Sequence, residues 1–459
     1  MTRAGSSFGR IRVAASDPAD GNSARETASR ALAGQAARFP DLDLRRLDTP
    51  GLDQRDAALA HAICDAVLRR WVTLEFLLDT RLDKPMKTLE PALRAVLLGG
   101  AAQVLLLDRI PDHAAINESV ELAKKLVRPG AAGLTNAVLR GIVRLRGGPR
   151  ERWTDRRDEI PLSDGRALGL TEAVFPERDA TRWSAATGHP LWLIERWRER
   201  MDGARVRDLA AHGVAAAPVI LNTSVFRGDP ILSSVPHSCE GFRVFTGDGG
   251  ELVGLLGSRR DLWVQDPASA AAVLEAARVV GSPRLIADVC AGKGTKTRQL
   301  FHAFPRSGIV ATDTDDDRRA TLAGVFRDEA RVEVVPPAAA AERCRGGADL
   351  VLLDVPCSNT GVLARRTEAK YRVSERSIAQ LADLQRRIIA DAVPLLAPAG
   401  FLVYSTCSLE PEENALQVDR AAREHGLTPV TMTTGEPSGL PGGDPAGYND
   451  GSFCAILRR

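Results

Sequence analysis

Lysine is scarce in this chain of 459 residues: seven of its 61 basic residues are lysine and the rest are arginine. The 59 acidic residues leave a net charge of +2, so no single-signed field marks a nucleic-acid or membrane surface. The preference for arginine suits bidentate phosphate contacts, which lysine makes only as a point charge. Long apolar runs are missing too. None reaches the roughly 18 residues that span a bilayer, which excludes a transmembrane helix. The N-terminal stretch MTRAGSSFGRIRVAASDPADG lacks the apolar core of a signal peptide. Residues 1–23 therefore read as a disordered tail on a cytoplasmic protein. Cysteines stand at 64, 239, 290, 344, 357, 407 and 454, an odd number with no C-x-x-C pair. That excludes a disulfide framework and a zinc site, and no metal is expected.

The length calls for several domains. Residues 24–146 read as all helix, a small helical bundle. Leu59, Ile63, Val67, Trp71, Leu74 and Leu78 recur at three- and four-residue spacing. After a break at Pro111 the pattern resumes in Ile116, Val120, Ala123 and Val127, then in Leu134, Val138 and Ile142. Residues 147–185, polar and broken by Gly and Pro, read as a linker or insertion. Residues 186–264 mix short elements, with a helix at LWLIERWRERM and strands at PVILNT and LWVQD, and predict a small α+β module. From 265 to 459 strand and helix alternate. RLIADVC, GIVATDT, RVEVV, ADLVLLDVP and GFLVYST are near-continuous apolar runs of the kind that parallel strands buried on both faces require. Residues 377–396 predict an amphipathic helix stopped by Pro398 and Gly400. The fold class is multidomain: an all-α N-terminal bundle, a small α+β module and a C-terminal doubly wound α/β domain. Ligands of such a sheet belong at the carboxyl ends of its strands.

Three of those ends carry chemistry. DVCAGKGTKT, 288–297, lies at a strand-to-helix turn where Gly292 and Gly294 permit a tight bend. It fails the phosphate-loop pattern because Thr295 precedes Lys296, and it fails G-x-G-x-x-G at Thr297. A generic nucleoside-cofactor turn survives. Asp313, ending the next strand, suits ribose hydroxyls, unless it only caps a helix. Asp354 and Cys357 stand at the mouth of the fourth strand and Cys407 at the mouth of the fifth. A thiolate adding to C6 of a pyrimidine turns C5 into a carbon nucleophile able to accept a methyl group. The thiolate needs positive surroundings, which Lys296 and a sulfonium cofactor supply. A carboxylate such as Asp354 accepts from the exocyclic amine of cytosine.

Asp354-Val355-Pro356-Cys357, and Thr406-Cys407-Ser408 followed by Pro411-Glu412-Glu413-Asn414, resemble the two cysteine motifs of bacterial Sun-type (Fmu-type) 16S ribosomal RNA cytosine-5 methyltransferases. The resemblance implies S-adenosylmethionine as cofactor, small-subunit ribosomal RNA as partner, Cys407 as nucleophile and Cys357 as the thiol that assists product release. The family's cofactor turn reads Cys-Ala-Ala-Pro-Gly-Gly-Lys-Thr. Here Cys290, Ala291, Gly294, Lys296 and Thr297 match it, whereas Gly292, Lys293 and Thr295 depart. By the same resemblance Cys290 to Lys296, with Asp313 and Asp354, hold the cofactor; Lys296 and Asp354 also count among the catalytic residues. The family's further acid after the third strand is absent from VEVVPPAAA. LLGGAAQVLLLDRIPDHAAINESVELAKKL and GLTNAVLRGIV resemble a NusB-like RNA-binding domain. A monomer is expected, with Arg140, Arg144, Arg156 and Arg157 as candidate RNA contacts. Three rivals stand beside this reading: the same chemistry on transfer RNA, an inactive RNA-binding protein of ribosome assembly, and a redox pair of thiols, which their spacing disfavours.

Overall fold

The structure is a computed structural model that describes residues 23–42, 47–257 and 259–459. Almost all of the expected N-terminal tail lies outside these residues. The chain divides into two compact units, one drawn from the first 143 residues and the other from residues 39–43, 68–80 and 144–459.

The first unit is helical. It comprises α1 (Ala24–Arg38), the first part of α2 (Gln54–Asp79), α3 (Pro91–Leu106), α4 (Asp112–Leu126) and most of α5 (Ala131–Leu145). The apolar spacing works as read: Ile63, Val67, Ile116, Ala123, Val138 and Ile142 are buried, although Leu134 stays 40% exposed. Helix α3 is buried along nearly its whole length, and Gly100 lets its neighbours close in. A Cβ there would lie 2.7 Å from Leu139 Cδ1 and 2.8 Å from Ser119 Oγ. Helix α2 breaks its helical dihedrals at Arg70, and residues 68–79 belong to the second unit.

Residues 147–185, expected to be a linker or insertion, fold instead as structured chain. Strands β1 (Arg146–Arg150), β2 (Glu159–Pro161) and β3 (Ala167–Leu170) form an antiparallel sheet in the order β1-β3-β2. A buried carboxylate organises it. Glu159 Oε1 accepts from the Thr154 and Arg156 N–H groups at 2.8 and 2.7 Å and from the Thr154 hydroxyl at 2.8 Å. Three helices follow: α6 (Asp179–Thr187), α7 (Leu191–Arg198) and α8 (Gly203–His212). Next come β4 (Ile220–Asn222), β5 (Ser234–Pro236), β6 (Phe242–Phe245), α9 (Gly249–Gly257) and β7 (Trp263–Val264), with the strands ordered β5-β6-β4-β7.

The C-terminal part is the doubly wound domain. Its elements are α10 (Pro267–Val279), β8 (Leu285–Asp288), α11 (Thr295–Ala303), β9 (Gly308–Ala311), α12 (Asp316–Val325), β10 (Val332–Val334), α13 (Pro337–Cys344), β11 (Ala348–Asp354), the short α14 (Ala369–Arg372), α15 (Glu375–Ala392), β12 (Leu396–Thr406), α16 (Ala415–His425), β13 (Thr428–Gly435) and β14 (Ser452–Arg458). The sheet runs β10-β9-β8-β11-β12-β14-β13. Its first five strands are parallel, and β14 lies antiparallel between β12 and β13. Alternate residues serve opposite faces. Ala287, Val351, Leu353, Leu402 and Tyr404 pack with Ile389 of α15 and Val418 of α16. Ile286, Leu350, Leu352 and Val403 pack with Val273 of α10, Leu300 of α11 and Leu322 of α12. Both faces are covered, which is why these strands read as unbroken apolar runs. Helix α15 ends at Ala392, short of Pro398, because Pro394 opens a tighter turn at once.

Candidate active site

The order places β8, β11 and β12 side by side, so the segments after them share one end of the sheet. After β8 the chain bends through Gly292 and Gly294, whose φ angles of +57° and +94° lie in the left-handed region open to glycine. A Cβ on Gly292 would meet no protein atom within 4 Å, leaving that side of the bend open to a ligand. The Gly292 N–H donates to Asp313 Oδ2 at 2.9 Å, and the Asp315 N–H donates to Asp313 Oδ1 at 2.9 Å. Asp313 thus fastens the cofactor bend to the loop after β9. The cap of α12 is Asp315, not Asp313. Lys293 and Thr295 are exposed at the bend and Ala291 is buried beneath it. Burial, with the negative charge of Asp288 next, pushes the Cys290 thiol up to about 12.

Helix α11 aims Lys296 across the mouth of the sheet. Its Nζ donates to Asp354 Oδ2 at 2.7 Å and to Ser269 Oγ at 3.3 Å. Burial disfavours the Lys296 ammonium, but the Asp354 carboxylate outweighs it and holds the pKa above the usual lysine value. Beneath lies Asp288, at the end of β8 and 1% exposed. It accepts from Thr297 Oγ1 at 2.7 Å, while its other oxygen has no protein partner. Burial raises its pKa to about 7 despite the Thr297 bond.

The two thiols meet beside the ion pair. Cys357 Sγ lies 3.3 Å from Cys407 Sγ, and Cys407 also donates to Asn359 Oδ1 at 3.2 Å. The contact with Cys357 and then burial push the Cys407 thiol well above its ordinary pKa; Asp354 pushes the same way and Lys296 opposes. The two segments carrying these thiols are tied through Glu413, which is fully buried. Its carboxylate accepts from the Ser358 N–H at 2.9 Å, the Ser358 and Ser408 hydroxyls at 2.5 Å each, and Gln385 Nε2 at 3.0 Å. The buried Thr406 hydroxyl adds a bond to Asn414 Oδ1 at 2.6 Å.

Cys357, Cys407, Asp354 and Lys296 therefore converge next to the Gly292–Gly294 bend. Sequence reasoning missed Asp288, Ser269, Asn359 and the bracing role of Glu413. Asn359 stands two residues past Cys357, a proximity that could have drawn notice; the other three depend on burial and on partners distant in the chain. The candidate RNA contacts fare unevenly. Arg156 pairs with Asp158 at 2.9 Å and Arg157 with Glu177 at 3.0 Å, while Arg140 donates to Asn136 Oδ1 at 3.0 Å; the Arg156 side chain stays largely exposed and that of Arg157 half-buried.

The open bend, the orphaned Asp288 oxygen and the acid after the second parallel strand fit a nucleoside cofactor bearing positive charge. Fold and site define a Rossmann-like methyltransferase that uses S-adenosylmethionine. Residues 281–445 match the family of the 16S rRNA methyltransferase RsmB/F, and residues 22–144 match the NusB family. Ribosomal RNA small subunit methyltransferase B of Erwinia tasmaniensis is 32% identical over 390 residues, covering 81% of this chain and 83% of that protein. Its namesake from Vibrio cholerae is 32% identical over 420 residues, covering 88% and 90%. A crystal structure described as PH0851 shares the fold, with a TM-score of 0.67 at 19% identity over 94% of this chain and 98% of that one. The chain belongs to the RsmB/F family of 16S rRNA methyltransferases. Among the described residues no helix is long and apolar enough to cross a membrane.

Proposed function

We propose that the protein methylates C5 of a cytosine in 16S ribosomal RNA, in the cytoplasm, with Cys407 as nucleophile. One observation carries this reading: two thiols 3.3 Å apart stand beside a Lys296–Asp354 ion pair of 2.7 Å, next to the open glycine bend. The cofactor, when bound, supplies a methyl group activated by a sulfonium charge. Gly292 and Gly294 form the bend that would receive it, flanked by Cys290, Ala291, Lys293 and Thr295, with Asp313 bracing the bend and Lys296 and Asp354 at its inner edge as the other groups that would hold it.

The target base is turned out of its stack into the cleft. Lys296 occupies Asp354 Oδ2, which leaves the second oxygen to accept from the exocyclic amine of cytosine. Uracil presents an acceptor at that place and is disfavoured. The Cys407 thiol gives its proton to solvent and its sulfur bonds to C6, moving the electron pair of the ring double bond to C5. C5 then takes up the methyl group. Loss of the C5 proton restores the double bond and releases the Cys407 thiolate. Cys357, within reach of that sulfur, assists its departure.

The test is transfer of labelled methyl groups to small-subunit ribosomal RNA by Cys407→Ala. Transfer should drop by about 10³-fold or more while calorimetric affinity for S-adenosylmethionine stays unchanged. Retained turnover would remove Cys407 from the mechanism.

A further inference from the structure

Asn359 has no place in the mechanism above, yet its amide touches both thiol segments. Its φ of +60° lies in the left-handed region, where Asn sits more readily than most residues that bear a Cβ. The backbone turn around it is held without its side chain, by the Val362 N–H on Asn359 O at 3.1 Å and the Gly361 N–H on Cys407 O at 2.9 Å. The side chain therefore does something else.

Its orientation is determined by chemistry. Asn359 Nδ2 donates to the backbone oxygen of Cys357 at 2.9 Å, and a carbonyl oxygen only accepts. The amide cannot be reversed, so Oδ1 faces the half-buried Cys407 sulfur at 3.2 Å. An amide oxygen accepts but does not donate. It favours S–H over a thiolate, whose charge it would face with its own negative end.

We propose that Asn359 is a positioning residue that fixes the Cys407 sulfur and keeps it protonated until RNA and cofactor occupy the cleft. The proposal rests on Cys407 being the nucleophile. The other groups facing this sulfur are Cys357 and Asp354, which follow or end β11, and Lys296 from α11. Only Lys296 favours the thiolate, and Asp354 holds that ammonium at 2.7 Å. Cys357 and Asn359 are the uncharged members of the set; either thiol can donate to the other, whereas the Asn359 oxygen only accepts. Ionising Cys407 removes the donor of its bond to Asn359, so the loss of that bond is part of what activating the thiol costs.

The experiment measures alkylation of Cys407 by iodoacetamide against pH, read from its peptide by mass spectrometry, in the full-length protein. Wild type is compared with Asn359→Gly, which keeps the left-handed backbone, and Asn359→Asp, which puts a carboxylate in the same place. The glycine variant should move the midpoint down by about one pH unit, or about tenfold faster alkylation near neutrality. The aspartate variant should move it up. A structural spacer would leave both midpoints at the wild-type value, and coincident midpoints, or shifts of one sign in both variants, overturn the proposal. Alkylation needs no methyl transfer, so its result is separate from the Cys407→Ala test of the nucleophile.

Discussion

Asp288 sits under the active site with one carboxylate oxygen bonded to Thr297 and the other without a protein partner. Burial lifts its pKa from 3.8 to about 7. The folded state therefore binds this proton more tightly than the unfolded chain does, and stability falls as pH rises from about 4 to about 7. The loss is on the order of 4 kcal/mol at 1.36 kcal/mol per unit. Asp288→Asn keeps an acceptor for Thr297 and carries no charge, so it should flatten this part of the stability–pH curve in urea unfolding without cofactor. An unchanged slope would show that Asp288 is not the titrating group. Cys357 and Cys407 were legible in the sequence because each follows an apolar run that has to end at the mouth of a strand. Asp288 was not, since its run LIADVC continues past it and only tertiary burial makes its charge costly.

The two thiol-bearing loops act as one element because Glu413 bridges them. Its carboxylate accepts from Ser358, Ser408 and Gln385, and its backbone oxygen accepts from the Tyr404 hydroxyl at 2.6 Å. Glu413→Ala would leave the buried Ser358 N–H without its acceptor and strip one partner each from the Ser358 and Ser408 hydroxyls and the Gln385 amide, which keep weaker or second contacts with one another, Thr360 and Pro356. That should cost about 2–4 kcal/mol of stability and lower methyl transfer, measured by urea unfolding and by labelled-methyl assays. A cost under about 0.5 kcal/mol would mean that water replaces the carboxylate. The parallel strands were legible because burial on both faces leaves an unbroken apolar signature. Strand β13, TPVTMTTG, was not: it is an edge strand with Val430 and Met432 largely exposed, and pairing with β14 rather than burial defines it. The sheet of residues 146–170 was missed for a related reason. Glu159, a residue that normally argues for solvent, is fully buried in β2 and holds the connection at Thr154 and Arg156.

Over the whole molecule, sequence order and structural unit part company at α2. Residues 68–80 belong to the second unit, where the Trp71 N–H donates to the Tyr371 hydroxyl at 3.2 Å and Lys370 Nζ donates to Arg69 O at 2.8 Å. An expected boundary at 146/147 cuts that segment away. A protein starting at residue 147 loses the fully buried Trp71 and should melt about 10 °C below the second unit of the full chain. Equal melting temperatures would show that the segment adds nothing. A helical periodicity identified α2 as a helix, but no local pattern tells which core a helix end joins. The central claim remains a transient bond between one sulfur and a pyrimidine ring, and trapping that bond tests it most directly. Cys357→Ser, incubated with small-subunit ribosomal RNA and S-adenosylmethionine, should give a protein–RNA adduct that survives a denaturing gel and disappears when Cys407→Ala is added. An adduct that persists in the double variant would contradict the account.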